Sequence, residues 1–98
     1  MITIDKDKAV ANTVVKFESV IQSHLDAQAQ SKGYDNITTA CSYAAASNPF
    51  QVEAVSFVSW RGNVWAYCYQ ELAKVQAGTR AMPTVEQIIS ELPARASV

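Results

Sequence analysis

The sequence predicts an all-α protein, a small bundle of two long and two short helices. Three observations carry this expectation. Apolar residues recur at spacings of three and four through most of the 98 residues, the mark of helices with one buried face. Helix-ending and helix-starting residues punctuate those runs at Gly33, Asn48-Pro49, Gly78, Pro83 and Pro93. Strand-like alternation is confined to Ile2-Thr3-Ile4, too short to form a sheet. The whole chain, residues 1–98, reads as a single helical domain.

The first helix is expected over about residues 7–31. Val10, Val14, Phe17, Ile21 and Leu25 form its apolar stripe, and Lys32-Gly33 ends it. The second, about 35–46, follows a cap at Asp35 or Asn36 and carries the narrow stripe Ile37, Ala40, Cys41 and Ala44. Asn48 as cap and Pro49 in the first turn open the third, about 49–77, which stops at Gly78. Its length is about 43 Å at 1.5 Å per residue. The fourth, about 84–92, starts from a capping box of Thr84 and Gln87, buries Val85, Ile88, Ile89 and Leu92, and ends at Pro93. The ending Ala94-Arg95-Ala96-Ser97-Val98 is expected to be loose.

The third helix departs from ordinary amphipathicity. One stripe holds Phe50, Ala54, Phe57, Val58, Arg61, Trp65, Cys68, Leu72 and Val75. A second holds Val55, Val58, Gly62, Trp65 and Tyr69, and a third Trp60, Val64, Tyr67 and Glu71. Apolar residues therefore nearly encircle its middle turns, and a helix apolar all round is buried all round. Either this helix is central in the bundle or one side meets another chain. Tryptophan, tyrosine and arginine are enriched at interface hot spots, so Trp60, Arg61, Trp65, Tyr67 and Tyr69 are the candidate partner-binding residues. Arg61 could lie over the Trp65 indole one turn on, snorkel to water, or anchor a partner's carboxylate.

Composition bounds the function classes. Charged residues make up 17% of the chain, against a usual quarter, so the surface is poor in charge. Net charge is −1 and no basic block exists beyond Lys6 and Lys8, which alternate with Asp5 and Asp7. Nucleic-acid binding is disfavoured. No apolar run is long enough for a membrane span, and the start lacks a signal-peptide core. Two cysteines, Cys41 and Cys68, are read as free thiols of a cytosolic protein, a bridge between them being the alternative. His24, Cys41 and Cys68 are too few and too scattered for a zinc site, so no metal and no cofactor is expected. His24 has no nucleophile or acid patterned around it. Glu53 and Glu71 lie about 27 Å apart along one helix, too far to cooperate, and Glu86 and Glu91 are read as solvated. The glycines at 33, 62 and 78 form no phosphate loop. Without a catalytic set, the expectation is a protein that is not an enzyme.

Gly33-Tyr34-Asp35, Asn48-Pro49-Phe50-Gln51, Trp60-Arg61 with Val64-Trp65-Ala66-Tyr67, and Pro83-Thr84 with Leu92-Pro93 give residues 33–93 a resemblance. They look like a class of small tailed-bacteriophage proteins associated with tails and tail fibres, and more distantly like phage tail assembly chaperones. The resemblance implies a chaperone or assembly factor that binds a tail-fibre or tail protein through the aromatic-rich helix. Its alternative is a stoichiometric virion subunit of the tail, a fibre joint or the capsid decoration. The implied location is the host cytoplasm during assembly, or the virion. A homo-oligomer formed through the third helix is compatible with either.

Overall fold

The computed structural model describes residues 6–96, with side chains from Val14 to Ala96. Val10 of the first stripe, the Lys6/Lys8 cluster, Ile2–Ile4, Ser97 and Val98 lie outside the described side chains. The all-α class read from the sequence is the class observed. Four α-helices follow in order: α1 (Lys6–Ser31), α2 (Ile37–Ser42), α3 (Gln51–Gln76) and α4 (Val85–Glu91). A single 3₁₀ turn, Tyr43–Ala45, follows α2.

Local chemistry sets the boundaries. After α1, Gly33 takes φ +94°, and the amides of Gly33 and Tyr34 donate to the carbonyls of Gln30 and Ala29. Gly78 repeats this after α3 at φ +79°, with Gly78 and Thr79 donating to Val75 and Lys74. Both are the double-bonded glycine stop that satisfies the last carbonyls of a helix. Asn36 caps α2, its side chain accepting from the Thr39 amide at 2.8 Å. The Thr84–Gln87 capping box at α4 is complete in both directions.

Two boundaries differ from expectation. The second helix is shorter than 35–46, because after Ser42 the chain tightens into the 3₁₀ turn. The third begins at Gln51, two residues after Pro49. Asn48 is instead the hub of the connection: its carboxamide oxygen accepts from the Phe50 amide, and its nitrogen donates to the carbonyls of Tyr43 and Ala46. A side chain so engaged stabilises a turn in competition with the helix.

The two long helices run antiparallel. His24 of α1 meets Trp60 of α3 with ring centroids 5.9 Å apart, while the earlier residues Val14, Phe17 and Glu18 of α1 share a crevice with the later residues Cys68, Leu72 and Val75 of α3. α2 packs against α1 and α3 at one end, and α4 against α1 at the other. Ile21, Leu25, Ala29, Ile37, Ala40, Phe57, Trp60, Val64 and Ile88 form one buried cluster. Edge-on aromatic contacts extend it. Phe57 lies between Tyr34 (5.8 Å) and Trp60 (6.2 Å), and Tyr43 links Tyr34 to Phe50. The body is long, 60 × 25 × 21 Å, with a radius of gyration of 16.2 Å, against about 13 Å for a compact chain of this length.

The segment after α4 is tied down through Arg95. Pro93 accepts a 2.7 Å bond from the Trp60 indole N–H. The Arg95 guanidinium donates to Ser56 Oγ at 2.7 Å and lies 4.3 Å from the centre of the Phe57 ring. The stretch from Pro93 to Arg95, its last two residues expected to be loose, is therefore a clasp on α3, because a buried indole N–H needs an acceptor and Phe57 offers a cation an aromatic face. Truncation after Leu92 should lower stability by about 1–3 kcal/mol, the usual consequence of stranding a buried donor, measured as a lower urea midpoint. An unchanged midpoint would show the clasp to be idle. Gly62, mid-helix with nothing within 4 Å of where a Cβ would stand, should behave oppositely. Gly62→Ala is expected to raise the stability of the single chain, measured at dilution, by up to about 1 kcal/mol.

Candidate functional site

The inner side of α3 is Ala54, Phe57, Trp60, Val64 and Glu71, all buried. Trp60, expected at a partner interface, is only 4% exposed and spends its N–H on Pro93. That expectation is corrected: Trp60 is a core residue, since its side of α3 faces α1 and the segment after α4. Tyr67 is half-buried, and its phenol donates a short hydrogen bond to the Glu91 carboxylate on α4. It stitches two helices together.

Arg61, Trp65 and Tyr69 do come together. With Val15, Glu18, Ser19 and Gln22 of α1 they line a shallow groove on the outer side of the α1–α3 seam. The Trp65 and Tyr69 rings stand 6.3 Å apart at 34°. Arg61 lies beside the groove without an ion pair to any described residue, and the cation–π contact found is Arg95 on Phe57 rather than Arg61 on Trp65. The groove continues as an exposed apolar stripe along α3: Val55 (48% exposed), Val58 (46%), Gly62, half-buried Trp65 and Tyr69 (58%). This is the second of the three sequence stripes. At 100° per residue it points about 130° away from the buried one, and no described residue covers it. Val55 and Val58 were not among the residues singled out from sequence. Their signal was present in the same periodicity, but aromatic residues drew the attention.

Behind Trp65, α1, α3 and α4 leave an apolar crevice of about 60 Å³, lined among others by Phe17, Cys68, Leu72, Val75 and Met82. Cys68 opens onto it as a free thiol, and burial pushes its pKa up, the direction of an inert rather than a reactive cysteine. Cys41 is also free, so the alternative bridge does not form. Among the described residues no three His, Cys, Asp or Glu side chains gather as a metal site, and no helix is long and apolar enough to cross a membrane.

The polar constellation that sequence reasoning missed is an ion network at the far end. Arg80, in the loop between α3 and α4, donates to Glu71 and to Glu91, each at 2.7 Å, and Lys74 reaches Glu71 at 3.0 Å. Glu71 is only 7% exposed. The bond from Arg80, then that from Lys74, holds its carboxyl below the usual 4.5. Arg80, then the Tyr67 phenol, does the same for Glu91. Arg80 is in turn pushed up by its two carboxylates, and Tyr67 is raised, first by its bond to Glu91 and then by burial. At the opposite end the Tyr34 phenol donates to Glu53 at 2.8 Å and is raised by burial and by that bond. These groups are mutually satisfied. They clamp the helices to one another.

Comparison with protein-family models, with curated proteins and with solved structures returns no match for the chain.

The network fixes a pH dependence. Glu71 and Glu91 are depressed in the folded state, so the unfolded chain takes up protons first as pH falls. Their stabilisation is whole above the ordinary value of 4.5 and is lost as pH drops through the lower folded values. The melting temperature should fall steeply in that window. Arg80→Met should lower it at pH 7 and flatten the acid slope. An acid slope of unchanged steepness in Arg80→Met would show that other carboxylates govern it.

Proposed function

We propose that this is a non-enzymatic bacteriophage protein of tail or tail-fibre assembly that holds a fibre or tail protein against the outward face of α3. The observation that carries the reading is the stripe Val55–Val58–Gly62–Trp65–Tyr69 with the groove beside it. Apolar patches of this continuity on a small protein mark interaction sites. Trp65, Tyr69 and Arg61 supply the residue types that anchor interfaces, with one aromatic half-sunk in the seam as a fixed platform. The partner class comes from the resemblance over residues 33–93. The shallow groove, with its aromatic pair and an arginine that has no ion-pair partner among the described residues, supports recognition.

Co-expression with the tail and tail-fibre proteins of the same phage genome, followed by affinity capture, tests the reading. The wild-type chain is expected to retain one of them. Val58→Asp and Tyr69→Asp, both at exposed positions, should abolish capture with the melting temperature almost unchanged. Capture that survives both substitutions, or a fibre that folds and trimerises equally well without this protein, would sink it. Mass spectrometry of purified particles then separates the two forms of the proposal: absence marks a transient assembly factor, and stoichiometric presence a virion subunit.

A further inference from the structure

We infer that, in the free protein, the outward face of α3 is closed by a second copy of this chain, the two α3 helices crossing antiparallel about a two-fold axis at Gly62. This rests on the reading that the face exists to be covered, and it names what covers it before a partner arrives.

Three observations converge on a second copy. The first is Gly62 itself. It lies on the exposed side of a helix interior, where glycine is unfavourable by about 1 kcal/mol against alanine, and apart from its neighbours in the helix no described residue lies within 4 Å of where a Cβ would stand. The glycine serves no contact inside the chain. At a crossing point it lets a second backbone approach.

The second observation is the arrangement of sizes along the stripe. Val55 lies seven residues before Gly62 and Tyr69 seven after, about 10.5 Å each way. Val58 stands on the valine side and Trp65 on the aromatic side. A two-fold axis at Gly62, perpendicular to the helix, lays the small half of one stripe on the large half of the other, twice over. An isologous interface demands that kind of self-complementarity.

The third observation is charge. The same operation keeps the α1 helices of both copies on one side of the seam. Glu18 of α1 lines the groove together with Arg61, Trp65 and Tyr69, and along α3 Arg61 stands about 1.5 Å before Gly62 and Trp65 about 4.5 Å beyond it. The two-fold lays the groove of the other copy, with its Glu18, alongside the groove that holds Arg61, so a carboxylate and a guanidinium face one another across the seam. Neither Arg61 nor Glu18 forms an ion pair with a described residue of its own chain. Two such pairs would form across the seam, one for each copy.

Sedimentation equilibrium of the full chain, at concentrations rising to about 1 mM so that weak association registers, is the test. The average mass should approach twice the 10.7 kDa of one chain. Gly62→Leu should abolish the rise while the helical circular-dichroism signal and melting temperature hold. Arg61→Glu and Glu18→Arg should each weaken self-association about tenfold or more, since each sets like charges face to face. The double variant Arg61→Glu/Glu18→Arg should recover it. A wild-type chain that stays monomeric throughout overturns the inference, as does a dimer indifferent to Gly62→Leu or a charge swap that fails to rescue. A monomeric chain that still captures its fibre or tail partner, and loses it on Val58→Asp, overturns only the pairing and leaves the proposed function standing.

Discussion

The middle of α3 is apolar around most of its circumference, and the rest of the chain supplies cover for one side. Ninety-eight residues yield a second long helix, two helices of six and seven residues, and a clasp after α4. All of these converge on Ala54, Phe57, Trp60 and Val64. Burying Phe57 and Trp60 is the main apolar gain open to so small a domain, because aromatic side chains bury the largest areas. Satisfying the Trp60 indole then dictates where Pro93 must lie. The position of Pro93 brings Arg95 over Phe57. The placement of α4 and of the segment after it thus descends from one buried N–H.

The opposite end of α3 has a different problem. Beyond Val64 its inner positions include Tyr67 and Glu71, and Glu71 is almost wholly removed from water. A buried carboxylate is tolerated only with charge-assisted bonds around it. Arg80 meets that need because the Gly78 stop reverses the chain one turn beyond Lys74, which returns residue 80 alongside the helix it has just left. The same guanidinium reaches Glu91 on α4, and Tyr67 reaches the other oxygen of that carboxylate. α4 is therefore held by an apolar anchor at Ile88, a charged one at Glu91 and an indole at Trp60. No one of the three contacts is large, and the short helix depends on their geometric agreement.

The helices themselves were legible in the sequence because their signals are local. Gly33, Gly78 and the Thr84–Gln87 box act within five residues, and the structure uses each in the role its spacing suggests. Asn48 reads from the sequence as the cap of the third helix and not as the hub of a turn, since its partners Tyr43 and Ala46 precede it and the proline after it mimics a helix start. The site was half legible. The periodicity of α3 separates three stripes but cannot say which one the other helices cover. Trp60 and Trp65 look alike in sequence. They differ because Trp60 is aimed at a carbonyl 33 residues away and Trp65 at the open seam. The Glu71–Arg80–Glu91 network was invisible for the same reason: its members meet through a loop reversal that no helical spacing encodes.

What distinguishes the outward face of α3 from an indifferent surface is that two unfavourable choices coincide there. Exposed helix positions that meet only water are best filled by alanine, glutamate, lysine or glutamine. Here Val52, Val55, Val58, Ser59, Gly62 and Asn63 occupy the outward positions of three successive turns. Each is a weaker helix former, by about 0.5–1 kcal/mol, so the stretch is roughly 3–6 kcal/mol short of an alanine face. The same residues also leave apolar area in water. A helix carrying both deficits holds its shape only because its inner side over the same turns is completely buried. Marginal domains rarely retain several such deficits together without a use for them, since single replacements would relieve each one. The inner face makes this stretch rigid, and the outer face keeps it unsatisfied. Rigidity lowers the conformational entropy lost on association, and the uncovered valines, glycine and aromatics supply the area that association removes from water. On the proposed function the two sides of α3 act as one device, in which the core holds an apolar surface ready in its binding shape.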